Sequence, residues 1–166
     1  EGFDFSGYVI QSDRGQGAIG VRTEADAELT VWTDPAMKRM QQLADERLPG
    51  RVNRLSCRRC GADDMVTMVR SWSDRDPGEV WVYKSAQAKW SLVGNVVEGI
   101  APAAMAQVDF QRIKARDGRD LPVWLTLPRG YKPGQKPAKP APAVVMVHGG
   151  PWVRGGHWKW DPMDQF

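Results

Sequence analysis

The sequence has no apolar run approaching the roughly 20 residues that a helix needs to cross a bilayer, which excludes a helical membrane span. It is also poor in soft metal ligands, with 2 cysteines and 2 histidines in 166 residues. Cys57 and Cys60 have the Cys-x-x-Cys spacing of half a zinc site or of a redox pair. A zinc site needs two further ligands, and His148 and His157 lie in a different segment with separate uses. Residues three apart on an extended strand face opposite sides, so no disulfide between the cysteines is expected. Both are assigned as small buried hydrophobes, and no metal or cofactor is expected. A charge excess of one sign is missing as well. The 23 Lys and Arg are scattered among 20 Asp and Glu, leaving a net charge of +3. The densest basic group, Arg51, Arg54, Arg58 and Arg59, alternates along a strand and reads as a solvated face, which speaks against a nucleic-acid partner. The N-terminus lacks the basic-then-apolar pattern of a secretory signal. It begins Glu1-Gly2-Phe3-Asp4 and reads as cut from a longer parent, cytoplasmic or periplasmic.

What is present is a globular composition, 42% hydrophobic and 26% charged, with room for one domain or pieces of two. Short strand signals recur over the first hundred residues, at 7–11, 18–23, 28–32, 52–58, 65–72, 79–83 and 89–93. Turn chemistry separates them, as in Asp13-Arg14-Gly15, Gly61-Ala62-Asp63-Asp64 and Asp74-Arg75-Asp76-Pro77-Gly78. The run Val80-Trp81-Val82-Tyr83 suits a strand covered on both faces, as in stacked four-stranded blades. One helix interrupts this pattern, with Asp34 as N-cap, Pro35 in the first position and a stop near Leu48-Pro49-Gly50. Its residues Met37, Met40 and Ala44 share a packing face.

The character changes near residues 100–105. Segments 109–115 and 122–127 flank the turn Arg116-Asp117-Gly118-Arg119 and predict a β-hairpin. A proline-rich basic loop over 132–142 should be extended and solvated. After it, Ala143-Val144-Val145-Met146-Val147 predicts a buried strand that opens into His148-Gly149-Gly150-Pro151-Trp152, and Asp161-Pro162 predicts the start of a helix. The expected fold class is therefore mainly β: blade-like antiparallel strands over the first hundred residues, followed by the opening of an α/β sheet.

The order of a β-rich region, Ala115-Arg116-Asp117-Gly118, Pro122-Val123-Trp124-Leu125-Thr126-Leu127-Pro128 and Pro142 through Pro151 resembles the prolyl oligopeptidase family. It is most similar to that family's bacterial acylaminoacyl peptidase and dipeptidyl aminopeptidase branch. Leu48-Pro49-Gly50-Arg51-Val52-Asn53 and Ser73-Asp74-Arg75-Asp76-Pro77-Gly78 are similar to segments of the propeller in that branch. The resemblance implies partial β-propeller blades over residues 1–104 and the first strands of an α/β-hydrolase sheet over 105–166, in a parent serine peptidase that cuts short peptides near their N-terminus, with the propeller restricting access. It also implies that the backbone N–H of Gly150, helped by that of Gly149, faces the scissile carbonyl oxygen as an oxyanion hole.

Some members of the family carry a tyrosine hydroxyl where His148 stands, so a purely backbone oxyanion hole is expected here. In α/β-hydrolases the order is serine, acid, histidine, and this turn precedes all three, so His148 is assigned a structural role. His157 has no acidic partner in a recognisable motif and is assigned to a loop near the domain interface. Trp152, Arg154, Trp158 and Trp160 form an aromatic and basic cluster, read either as a wall of the peptide pocket or as interdomain packing, with Trp152 and Arg154 as candidate substrate-binding residues. None of Ser6, Ser12, Ser56, Ser71, Ser73, Ser85 and Ser91 has glycine two positions before and two after it. The chain is therefore expected to be a fragment, inert alone, whose nucleophile lies in the remainder of its parent. The alternatives are a non-enzymatic propeller module used for binding and a carboxylesterase, although esterases more often carry a third glycine where Pro151 stands.

Overall fold

The alternation of inward and outward side chains along β5 (Val66–Trp72) shows how the core is made. Thr67, Val69 and Ser71 are buried, while Val66, Met68 and Arg70 face outward, the two-residue period of a strand with one covered face. A computed structural model describes residues 5–131, 134–135, 139–150, 152–153 and 155–165. The chain is mainly β and forms three antiparallel sheets. The first contains β1 (Gly7–Gln11), β2 (Ala18–Glu24) and β3 (Glu28–Trp32) in sequential order. The second is a four-stranded meander of β4 (Val52–Arg58), β5, β6 (Glu79–Lys84) and β7 (Lys89–Asn95). The third is the hairpin β8 (Gln107–Lys114) and β9 (Asp120–Leu127). Among the described residues the sheets do not close into a propeller ring.

Helix α1 (Pro35–Arg47) lies between the first two sheets and starts where the sequence places it. The Asp34 carboxylate accepts the Met37 N–H at 2.8 Å, satisfying one of the unpaired donors of the first turn. Met37, Met40 and Ala44 are buried and pack with Leu55 and Val69 of the meander and with Ile19 and Trp32 of the first sheet. The methionine face is thus core. Asn53 ties the helix end to the sheet, donating to the Leu48 carbonyl at 3.0 Å and accepting from the Ser71 hydroxyl at 2.6 Å. Buried Arg22 joins the two sheets, donating from β2 to the Leu55 carbonyl on β4 at 2.7 Å.

Four expectations need correction. First, Cys57 and Cys60 form a disulfide. Strand β4 ends at Arg58, and Arg59 takes a left-handed conformation (φ 57°) that swings Cys60 back over Cys57, so the opposite-face rule for strands does not apply. Second, residues 143–147 are not a buried strand. Val144, Val145 and Val147 are 87%, 84% and 85% exposed, and no strand pairs with the segment among the described residues. An apolar run becomes a buried strand only where a neighbour takes its backbone hydrogen bonds and a layer covers its side chains. Third, Val80 to Tyr83 are only half-buried, because the meander has a helix on one side and no second blade stacked on the other among the described residues. Fourth, Pro122 lies inside β9, opposite Arg112, instead of opening the strand. It is tolerated because β9 is an edge strand.

Candidate functional site

The glycine turn sits at the end of the exposed 143–147 segment. Gly150 has φ +77°, a left-handed conformation that a side chain disfavours, although a Cβ there would meet nothing closer than Val153 at 3.5 Å. Its carbonyl accepts the Val153 N–H at 3.4 Å, closing a one-turn bend. Neither the Gly149 nor the Gly150 N–H is used in a hydrogen bond among the described residues. Both amides are thus available to an external acceptor, the requirement for an oxyanion donor. His148 is exposed, with Nδ1 3.2 Å from the Gly149 carbonyl oxygen.

Beyond the turn the chain folds back across the molecule because two glycines allow it. A Cβ on Gly155 would lie 2.2 Å from the His148 Cβ, and one on Gly156 would lie 2.4 Å from the Trp124 ring. The returning segment is fastened at several points. His157 Nδ1 lies 2.7 Å from Glu24 Oε1, a partner 133 residues away that no local motif reveals. The Trp160 N–H donates to the Ser73 carbonyl at 2.9 Å. Gln165, at the end of α2 (Pro162–Gln165), accepts the Ala106 N–H at 2.7 Å and donates to the Ala106 carbonyl at 3.0 Å. Asp161 accepts the Met163 N–H at 2.9 Å, capping this short helix as its sequence predicts.

This return leaves two adjoining clefts that share Glu28 and Trp158. The larger, about 670 Å³, lies between β3, α1, the start of β4 and β8. Asp26, Asp45 and Asp109 line it beside Phe110 and Val108. Asp45 accepts from the side chains of Gln41 at 3.0 Å and Asn53 at 2.9 Å, and Asp109 from that of Gln111, so both carboxylates are held by neutral donors. The smaller cleft, about 320 Å³, is basic and aromatic, with Arg54, Arg70, Lys159, Trp72 and Trp160 among its walls. Arg54 is bound by Glu28, with Nε 2.8 Å from Oε1, and this contact raises its guanidinium above the ordinary value. The guanidinium groups of Arg54 and Arg70 lie 5.0 and 5.6 Å from the Trp72 ring centre. The Trp160 indole N–H is buried and has no acceptor among the described residues, a deficit of about 1–3 kcal/mol for a donor withdrawn from water.

No protein-family model, characterised protein or solved structure matches this chain. The site therefore stands on its own geometry. Gly149 and Gly150 lie on an exposed turn, and Trp152 is 94% exposed and lines neither cleft. Arg154 and Pro151 lie outside the described residues. Trp158 and Trp160 are the members of the aromatic cluster that reach the clefts. Sequence reasoning missed Glu28, Arg70 and Asp109, because strand residues with ordinary alternation carry no local sign of the cleft they line. It also missed Gly155-Gly156, whose signal, a glycine pair between aromatic residues, was present. Among the described residues no three His, Cys, Asp or Glu side chains converge as metal ligands, and no helix is long and apolar enough to cross a membrane.

Proposed function

We propose that the chain is part of a serine peptidase of the prolyl oligopeptidase type and supplies its oxyanion donors. The supporting observation is the turn at 148–150, where a left-handed Gly150 follows the exposed apolar run at 143–147 and two adjacent backbone N–H groups are unused among the described residues. The order of elements agrees with this reading, since a blade-like antiparallel meander is followed by a hairpin and then the turn. As the serine oxygen attacks a peptide carbonyl, negative charge grows on the carbonyl oxygen. The N–H of Gly150, assisted by that of Gly149, donates to it. One such donor is worth about 3 kcal/mol of transition-state stabilisation. Glycine suits the position because the backbone itself must approach the substrate.

No serine of the chain has the flanking glycines of a nucleophile elbow, so the nucleophile, acid and histidine belong to the parent sequence after Phe166, in that order. A fluorophosphonate probe tests this. It should leave the 166-residue chain unlabelled and label the full gene product at a serine in a Gly-x-Ser-x-Gly sequence. Labelling of the 166-residue chain, or a full gene product that lacks a reactive serine, would overturn the proposal.

A further inference from the structure

The loop after β4 carries a feature that lies apart from the glycine turn and from both clefts. Cys57 and Cys60 are bridged across Arg59, whose left-handed φ of 57° is disfavoured for a residue with a side chain. That turn directs two successive backbone N–H groups, those of Arg59 and Cys60, at one carboxylate, Asp13 in the turn between β1 and β2. Arg14 of the same turn donates to the Cys60 carbonyl at 3.4 Å. Among the described residues, these are the hydrogen bonds that run from the β1–β2 turn to the meander. The bridge is the covalent part of the turn at Arg59. Its other supports are local: the Ala62 N–H donates to the Arg59 carbonyl at 3.0 Å, the Gly61 N–H faces the Met65 sulfur at 3.3 Å, and the Arg59–Asp64 ion pair is exposed and therefore weak.

We infer that the Cys57–Cys60 disulfide is a redox-sensitive latch: closed, it holds the β1–β2 turn against the meander, and reduction by a dithiol releases that turn. Cys57 is the point of attack, being half-buried where Cys60 is only 5% exposed. A thiolate of the dithiol bonds to the Cys57 sulfur, the Cys57–Cys60 bond breaks, and Cys60 leaves as a thiolate that takes up a proton. The second thiolate of the dithiol attacks the reductant's own sulfur in the mixed disulfide, which closes the reductant's disulfide and frees Cys57 to take up the second proton. Two electrons and two protons thus pass to the protein. With the bridge open, Arg59 relaxes from the left-handed region and the paired N–H groups part from Asp13. The two sheets stay joined, since Arg22 still donates to the Leu55 carbonyl, Glu28 still holds Arg54, and α1 still packs between them. The movement is confined to the turn and the end of β1, where Ile10 rests against the core.

The test equilibrates the 166-residue chain in mixtures of reduced and oxidised dithiothreitol, with free thiols trapped by alkylation and counted by mass spectrometry. Coupling is reciprocal, so if the bridge supports the Asp13 contacts, those contacts support the bridge. Asp13→Ala, at an exposed turn position, should therefore lower the ratio of reduced to oxidised dithiothreitol at half-reduction by about fivefold or more. In the 15N-labelled wild-type chain, reduction should shift the amide resonances of residues 13–17 and 59–61 and speed hydrogen exchange at Arg59 and Cys60 by about tenfold or more. The resonances of α1 and β5 should stay in place, and reoxidation should restore the original spectrum. The Asp13 carboxyl should titrate higher in the reduced chain, nearer the ordinary value of 3.8. A half-reduction ratio that Asp13→Ala leaves unchanged, a reduced spectrum with residues 13–17 unaltered, or a bridge that dithiothreitol does not open in the folded chain would each overturn the latch. Loss of the α1 and β5 resonances on reduction would overturn it as well, because the bridge would then hold the whole fold.

Discussion

Asp13 shows how much one side chain can organise. From the turn between β1 and β2 its carboxylate accepts the N–H groups of Arg59 at 2.5 Å and Cys60 at 3.0 Å, tying the first sheet to the loop after β4. These two backbone hydrogen bonds hold its carboxyl below the ordinary value of 3.8. A lowered folded value means that the contribution is complete above the unfolded carboxyl value and disappears as pH falls through the folded one. Asp13→Asn should therefore lower stability near neutrality and flatten the loss of stability below pH 3.8, measured by urea unfolding across the acid range. Met37 is a packing residue with no exposed surface. Met37→Ala should cost about 2–5 kcal/mol in the same assay, the range for emptying a core site of this size. The burial of Met37 was legible in the sequence, because Met37, Met40 and Ala44 recur at helical spacing. The role of Asp13 was not, since its partners lie 46 and 47 residues away.

Strands and turns were read well wherever local chemistry decides them. The capping pair Asp34-Pro35 fixes the start of α1, and the two-residue alternation of β5 fixes its buried face. The Cys57–Cys60 bridge went the other way because the strand stops at Arg58, two residues before Cys60, and Arg59 turns left-handed. Replacing both cysteines by serine should cost about 2 kcal/mol or less, since so short a loop restricts the unfolded chain little. Thermal unfolding with and without a reducing agent checks this, and the serine variant should be insensitive to the reductant. Gly78 sits at the start of the β6 turn with φ +111°, where a Cβ would stand 2.4 Å from the Ser71 carbonyl oxygen. Gly78→Ala should destabilise by about 1–3 kcal/mol, with disturbed amide shifts centred on β5 and β6.

In the whole molecule, the returning segment and the exposed run at 143–147 have opposite consequences. The return makes contacts with Glu24, Ser73 and the Asp74 carbonyl and creates both clefts. The exposed run displays several large apolar side chains in succession, and a contiguous exposed apolar patch favours association between copies. The protein should self-associate with rising concentration, and Val145→Lys should shift it toward monomer without lowering its unfolding temperature. Light scattering and thermal denaturation together measure the two effects. A monomeric wild-type chain at all concentrations would show that this run is protected.

The strand series, the capped helix with its methionine face, the hairpin and the glycine turn were legible along the chain, because each depends on residues within a few positions of one another. The other features rest on contacts between residues far apart in the chain. The disulfide depends on where β4 ends, the pairing of His157 with Glu24 on a chain reversal permitted by Gly155 and Gly156, and the clefts on three sheets meeting. The apolar run at 143–147 marks the boundary between the two. Its composition specifies a strand to be covered, but coverage needs a neighbouring strand and a packed layer, and none is present among the described residues.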